Sequence, residues 1–139
     1  MKIRMVAVAG LLAVTLAGCG TVGVRNDARA WAEVMPTIAH ELMLDSRDVV
    51  VFDIRPAPEF NGELGHIEGA LSIPLTLLDD KLVEIRPYRN ATVIVYGDTE
   101  SESLDAMRTL AGAGFRNLVL LRGGIRHWIE RGYKTVGAS

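Results

Sequence analysis

Residues 97–102 read Gly97-Asp98-Thr99-Glu100-Ser101-Glu102, and they follow the apolar run ATVIVY at 91–96. Three acids alternate with hydroxyls there, so three chemistries come into question. The first is a hydroxyl nucleophile at Thr99, Ser101 or Ser103, which would need a base within hydrogen-bond reach. No convincing Ser/His pair is present in the sequence. The second is a cation loop, because Asp98, Glu100 and Glu102 alternate like the start of a calcium-binding loop. Ser103 stands where that loop needs glycine, and Thr109 where it needs a bidentate carboxylate. The third is helix capping: Thr99 and Glu102 fit the capping box, in which the threonine accepts from the helix backbone and the glutamate reaches back to the threonine N–H. Acids at a helix start also complement its positive end. The expectation is therefore a capped helix start with an acidic surface that repels anions.

Other reactive types are sparse. Asp53, Arg55 and His66 bring together a carboxylate, a guanidinium and an imidazole, but a histidine with no nucleophile beside it reads as structural. His40 and His127 lack metal-ligand partners at useful spacing, so no metal site and no cofactor are expected. Cys19 is the only thiol.

The elements that must position these residues follow from periodicity. DVVVFDI at 48–54, ATVIVY at 91–96 and NLVLL at 117–121 are continuous apolar runs, which suit strands buried on both faces. ALSIPL at 70–75 reads as another short strand stopped by Pro74. Helical patterns cover 36–44, opened by Pro36, then 75–85, 100–111 and 125–132; residues 31–35 read as a lead-in to the first helix. Strands alternating with helices predict an α/β fold with a central, mainly parallel sheet flanked by helices. Ligands of such sheets collect beyond the carboxyl ends of the strands, where 97–102 lies.

The amino-terminal stretch has a different logic. Lys2 and Arg4 precede an uncharged apolar run and small residues, the order of a secretory leader, and the run is too short to span a bilayer. Leu16-Ala17-Gly18-Cys19 resembles the lipobox of bacterial lipoproteins, which implies cleavage after residue 18 and acylation of Cys19. Two or more acyl chains (diacylglyceryl plus an N-acyl group such as palmitate) anchor stably. The expected organisation is a leader over 1–18, a tether over 19–30 and one domain over 31–139, lipid-anchored in the cell envelope. Gly20 after the cysteine favours the outer membrane, with the domain facing the periplasm. Loss of Lys2 and Arg4 from the 15 bases leaves 13 against 17 acids, a balance that speaks against nucleic-acid binding.

Asp53-Ile54-Arg55, Glu59-Phe60 and Gly65-His66-Ile67-Glu68-Gly69-Ala70 resemble one signature of rhodanese domains; Gly114-Phe115, Gly123-Gly124, Trp128 and Gly132-Tyr133 resemble the other. The resemblance covers about 34–133, with two extra residues between Phe60 and Gly65. It implies a three-layer rhodanese-like fold in which Asp53, Arg55 and His66 are framework, the histidine in a tight turn. Active members carry a cysteine directly after the strand that ends here at Tyr96, in a six-residue loop rich in bases that stabilises a persulfide anion. By this resemblance the cysteine position is Gly97, and the loop 97–102 has reversed charge. The implied function is a catalytically inactive binding or scaffold module that engages an envelope protein; the alternative is a sulfurtransferase of unusual mechanism.

Overall fold

A computed structural model describes residues 30–139; the expected leader over 1–18, Cys19 and the expected tether up to residue 29 lie outside the described residues. Five strands, β1 (Trp31–Val34), β2 (Val49–Asp53), β3 (Leu71–Ser72), β4 (Thr92–Tyr96) and β5 (Asn117–Leu121), form one sheet. Their order is β1-β5-β4-β2-β3, and every pairing is parallel. All the strands therefore start at one end of the sheet and finish at the other.

The helices are α1 (Pro36–Asp45), α2 (Ala57–Phe60), α3 (Leu78–Ile85), α4 (Glu100–Gly112) and α5 (Gly124–Glu130), with 3-10 turns at Leu75–Leu77 and Arg86–Tyr88. Alternation along the strands explains the layers. Phe52, Val93, Val95, Leu118 and Leu120 face one core with Ile85, Met107 and Leu110 of α3 and α4. Val51, Ile94, Tyr96, Val119 and Leu121 face the other, with Ala39 of α1 and Ile125 and Trp128 of α5. Both sheet faces are covered, so the strands read as unbroken apolar runs rather than as alternation. Among the described residues, no helix is long and apolar enough to cross a membrane.

Three local expectations are corrected. Residues 31–34 form an edge strand rather than a helix lead-in: Trp31 aligns with Leu118 and Val34 with Leu121, and Arg122 N donates to Val34 O. The partner strand decides this, since WAEV alone suits either state. The strand expected over 70–75 is only Leu71–Ser72, because Pro74 lacks an N–H and the chain turns at once into the 3-10 segment. The short helix α2, with Pro58 in its first turn, fills a stretch with no helical periodicity to announce it.

Candidate functional site

β2 and β4 lie side by side with Asp53 opposite Tyr96, and both strands end there. Asp53 is buried, so its carboxylate must be fully bonded. Oδ1 accepts from the Arg55 backbone N–H and from Nε, each at 3.0 Å. Oδ2 accepts from Arg55 Nη2 at 2.6 Å and from the Tyr96 hydroxyl at 2.7 Å. Arg55 Nη2 also donates to Gly65 O at 2.7 Å, and the Tyr96 hydroxyl accepts from Ile67 N at 3.1 Å. Burial opposes the Arg55 charge, but the hydrogen bond and field of Asp53 more than offset it and raise the pKa. Burial, then the Asp53 charge, raises the Tyr96 pKa, so the phenol stays a donor. Asp53 and Arg55 thus hold together the strand end, the 61–67 segment and the floor of a cleft.

His66 does not sit in a tight turn as expected. Its backbone makes an antiparallel bridge with Val136, N–H to O both ways at 2.9 Å. The ring stacks on Phe60 with 3.6 Å between centroids, and Nδ1 bonds the Phe60 carbonyl at 2.8 Å. The carboxyl-terminal segment provides this environment, which the local sequence could not reveal. His66 is therefore packed and bonded away from the cleft.

The loop 97–102 begins with buried Gly97 and then becomes exposed. Thr99 caps α4: its Oγ1 accepts from Glu102 N at 3.3 Å. The reciprocal half of the capping box differs from expectation, because the Thr99 hydroxyl donates to Glu102 Oε2 at 2.8 Å and the Thr99 N–H is not the carboxylate's partner. Buried Ser103 donates its hydroxyl to Thr99 O at 3.0 Å, which leaves it structural. Thr99→Ala should lower stability by about 1 kcal/mol, with the loss confined to the first turn of α4 in amide exchange.

Arg55, Glu59, Glu63, Asp98 and Arg126 line a cavity of about 290 Å³ beyond the strand ends. Of the six loop residues only Asp98 reaches it; Thr99 and Glu100 border a separate depression of about 20 Å³ beside Gly123 and Gly124. Glu59 and Arg126 were missed as site residues, since α2 and α5 bring them in from segments whose sequence says little about direction. Hydrogen bonding to Asp98 is the largest cause of a raised Glu59 pKa, followed by burial. Because the folded state holds that proton more tightly than the unfolded chain, this contribution is present at low pH and is lost as pH rises through the folded pKa. In Asp98→Asn, the carboxyl NMR titration of Glu59 should move back down toward the ordinary glutamate range.

A larger cavity, about 460 Å³, lies between α1 and the end of the chain and includes His40, Trp128 and Tyr133. His40 stacks on Tyr133 at 4.4 Å. His127 accepts at Nε2 from Arg131. Among the described residues no group of three histidines, cysteines or acids could hold a metal ion.

Residues 36–131 match the profile of the rhodanese-like domain. The chain belongs to that family. A rhodanese-related protein from Thermoplasma volcanium superposes with TM-score 0.66 at 26% identity, over 76% of this chain and 98% of its own. A sulfurtransferase of Allochromatium vinosum is 32% identical over 94 residues, 68% of this chain and 84% of the relative. The uncharacterized protein slr1261 of Synechocystis is also 32% identical, over 63% of this chain and 47% of its own length. The rhodanese-like chain thus spans about half the length of that curated relative. The motifs quoted from the sequence map onto particular bonds: Asp53 with Arg55, Arg55 with Gly65, and Gly123-Gly124 beneath the loop.

Proposed function

We propose that this is a lipid-anchored, catalytically inactive rhodanese-like binding module of the cell envelope. In this reading residues 1–18 are removed, acylated Cys19 holds the chain in the outer membrane, 19–30 form the tether, and the domain over 31–139 faces the periplasm. Gly97 stands in the position of the family's cysteine, and Asp98, Thr99, Glu100, Ser101 and Glu102 form a recognition loop for a basic group on an envelope protein.

The observation that carries the reading is the charge of the cleft. Glu59, Glu63 and Asp98 outnumber Arg126 there, Arg55 is already engaged by Asp53, and the start of α4 is occupied by the chain's own Thr99 and Glu102. A persulfide or thiosulfate at the loop would meet the carboxylates of Asp98, Glu100 and Glu102 where the family's chemistry needs positive charge. A basic side chain would instead relieve the repulsion between the Glu59 and Asp98 carboxylates.

The test is cyanide-dependent thiocyanate formation from thiosulfate by the full chain, together with photocrosslinking from Thr99 in cells. The expected results are no turnover above the enzyme-free control, and one dominant protein adduct that disappears when Asp98, Glu100 and Glu102 are neutralised. Turnover by the unaltered protein would instead support the second reading, a sulfurtransferase of unusual mechanism, which the similarity to the Allochromatium sulfurtransferase favours.

Gly97→Cys should fold, because an added Cβ meets Ile54 Cγ1 and Ser103 Oγ at 3.1 Å and small shifts accommodate it. Its alkylation by iodoacetamide should have a midpoint at or above the free-cysteine value of about 8.5, since the neighbouring acids oppose a thiolate. Robust sulfur transfer by that single variant would refute the charge argument.

A further inference from the structure

The end of the sheet opposite the cleft has the reverse charge. All five strands are parallel, so Trp31, the first residue of β1, sits at the same end as the segments leading into β2, β4 and β5. Those segments present Arg47, Arg86, Arg89 and Arg116, all exposed. Among the described residues none of these four side chains forms an ion pair or a side-chain hydrogen bond, and neighbouring Asp45 and Asp48 do not pair with them. Two adjoining depressions of about 440 and 430 Å³ meet at Asn90; one is bordered by Arg47 and the other by Arg89 and Arg116. Arg116 N donates to Arg89 O at 3.3 Å, which holds the two backbones together.

From this arrangement we infer that the arginine end docks on the phosphate headgroups of an anionic bilayer and so turns the acidic cleft away from the membrane. The inference rests on the anchored reading above. The tether from Cys19 to Trp31 reaches at most about 40 Å when fully extended. The chain therefore enters the domain beside the arginines, within reach of the lipid surface that holds the anchor. Attraction of basic residues to anionic lipids acts within about one Debye length, roughly 8–10 Å, so only the end lying nearest the surface benefits. Glu59, Glu63, Asp98, Glu100 and Glu102, at the other end, are repelled by the same field. Exposed Arg122 and Arg126 share that end with the five acids, which leaves it net negative, so both ends favour one orientation.

The test uses the full chain with vesicles of phosphatidylcholine, alone or mixed with phosphatidylglycerol. Fluorophores are placed on Asn90→Cys, at the arginine end, or on Ser101→Cys, in the loop, and a quencher is carried on lipid headgroups. Quenching should be stronger at Asn90 in the anionic vesicles only. High salt should abolish the difference, as should the triple variant with Arg86→Gln, Arg89→Gln and Arg116→Gln. The matching triple lysine variant should retain it, which separates charge from misfolding. Inorganic phosphate at matched ionic strength should not release the domain, whereas release would indicate a free-phosphate site and overturn the inference. Equal quenching at both positions, or quenching indifferent to the arginines, would also overturn it. Flotation with pure phosphatidylcholine tests the anchor separately. If that fails, the arginine surface must still bring the chain to anionic vesicles, with affinity falling about fivefold per arginine removed; no binding there overturns the inference as well.

Discussion

Arg55→Met lowers the unfolding free energy by about 3–5 kcal/mol, because it leaves the Asp53 carboxylate buried without its partner. Both side chains are only 1% exposed, so solvent cannot take the place of the guanidinium. The methionine fills much of the volume, which makes the result a measure of the stranded charge rather than of a cavity. Urea unfolding of the full chain, with the slope checked for constancy, reads the effect directly. The double variant with Asp53→Asn should cost less than the sum of the two single changes, since each single change strands the other's partner. A loss below about 1 kcal/mol would mean that Asp53 is held by the backbone and Tyr96 alone. Tyr96→Phe provides the companion measurement, with an expected loss of about 1–3 kcal/mol from the unsatisfied Ile67 N–H and the weakened carboxylate.

Gly124→Ala is expected to be the most damaging small substitution near the loop. An added Cβ would overlap the Gly97 carbonyl oxygen, and the residue has φ +58°. Left-handed backbone and forced overlap each cost roughly 1–3 kcal/mol, so a combined loss of about 2–6 kcal/mol is expected by thermal or chemical unfolding. Gly69→Ala is the control: its φ is +78°, but nothing lies within 4 Å of the added atom. Backbone strain alone should act there, at roughly 1–2 kcal/mol. If the two variants were equally stable, the Gly97–Gly124 approach would not be what fixes the loop. If Gly124→Ala retained stability, the overlap would have been relieved by moving the 97–102 loop, which amide exchange at Asp98 and Thr99 would reveal.

The parts of this fold that were legible from sequence are those whose cause is local. β2, β4 and β5 announce themselves because a strand buried on both faces needs an unbroken apolar run. Helix α4 is legible at its start because Thr99 and Glu102 cap it within four residues. β1 was missed because a four-residue strand is decided by its neighbour, and that neighbour is β5. The bond from Tyr96 to Asp53 joins residues 43 positions apart, so no window of sequence displays it. Asp53 and Arg55 were recognisable as framework through their motif, whereas the surroundings of His66 depend on Val136. In the cleft, Asp98 was visible as an acid after a strand, but its pairing with Glu59 required α2 to bring the second carboxylate across.

The strand order also bears on when the domain can fold. Among the described residues β1 is the first strand, and its sheet partner is β5, the last. During synthesis, β1 must wait until almost the whole domain has emerged before it can pair. β2 and β4 likewise pair across α2, β3 and α3. Such non-local parallel pairing is slow, because loop closure is opposed by entropy before contacts reward it. The same topology that gathers every strand end at the cleft should therefore keep the emerging chain from completing its sheet until a late stage of synthesis.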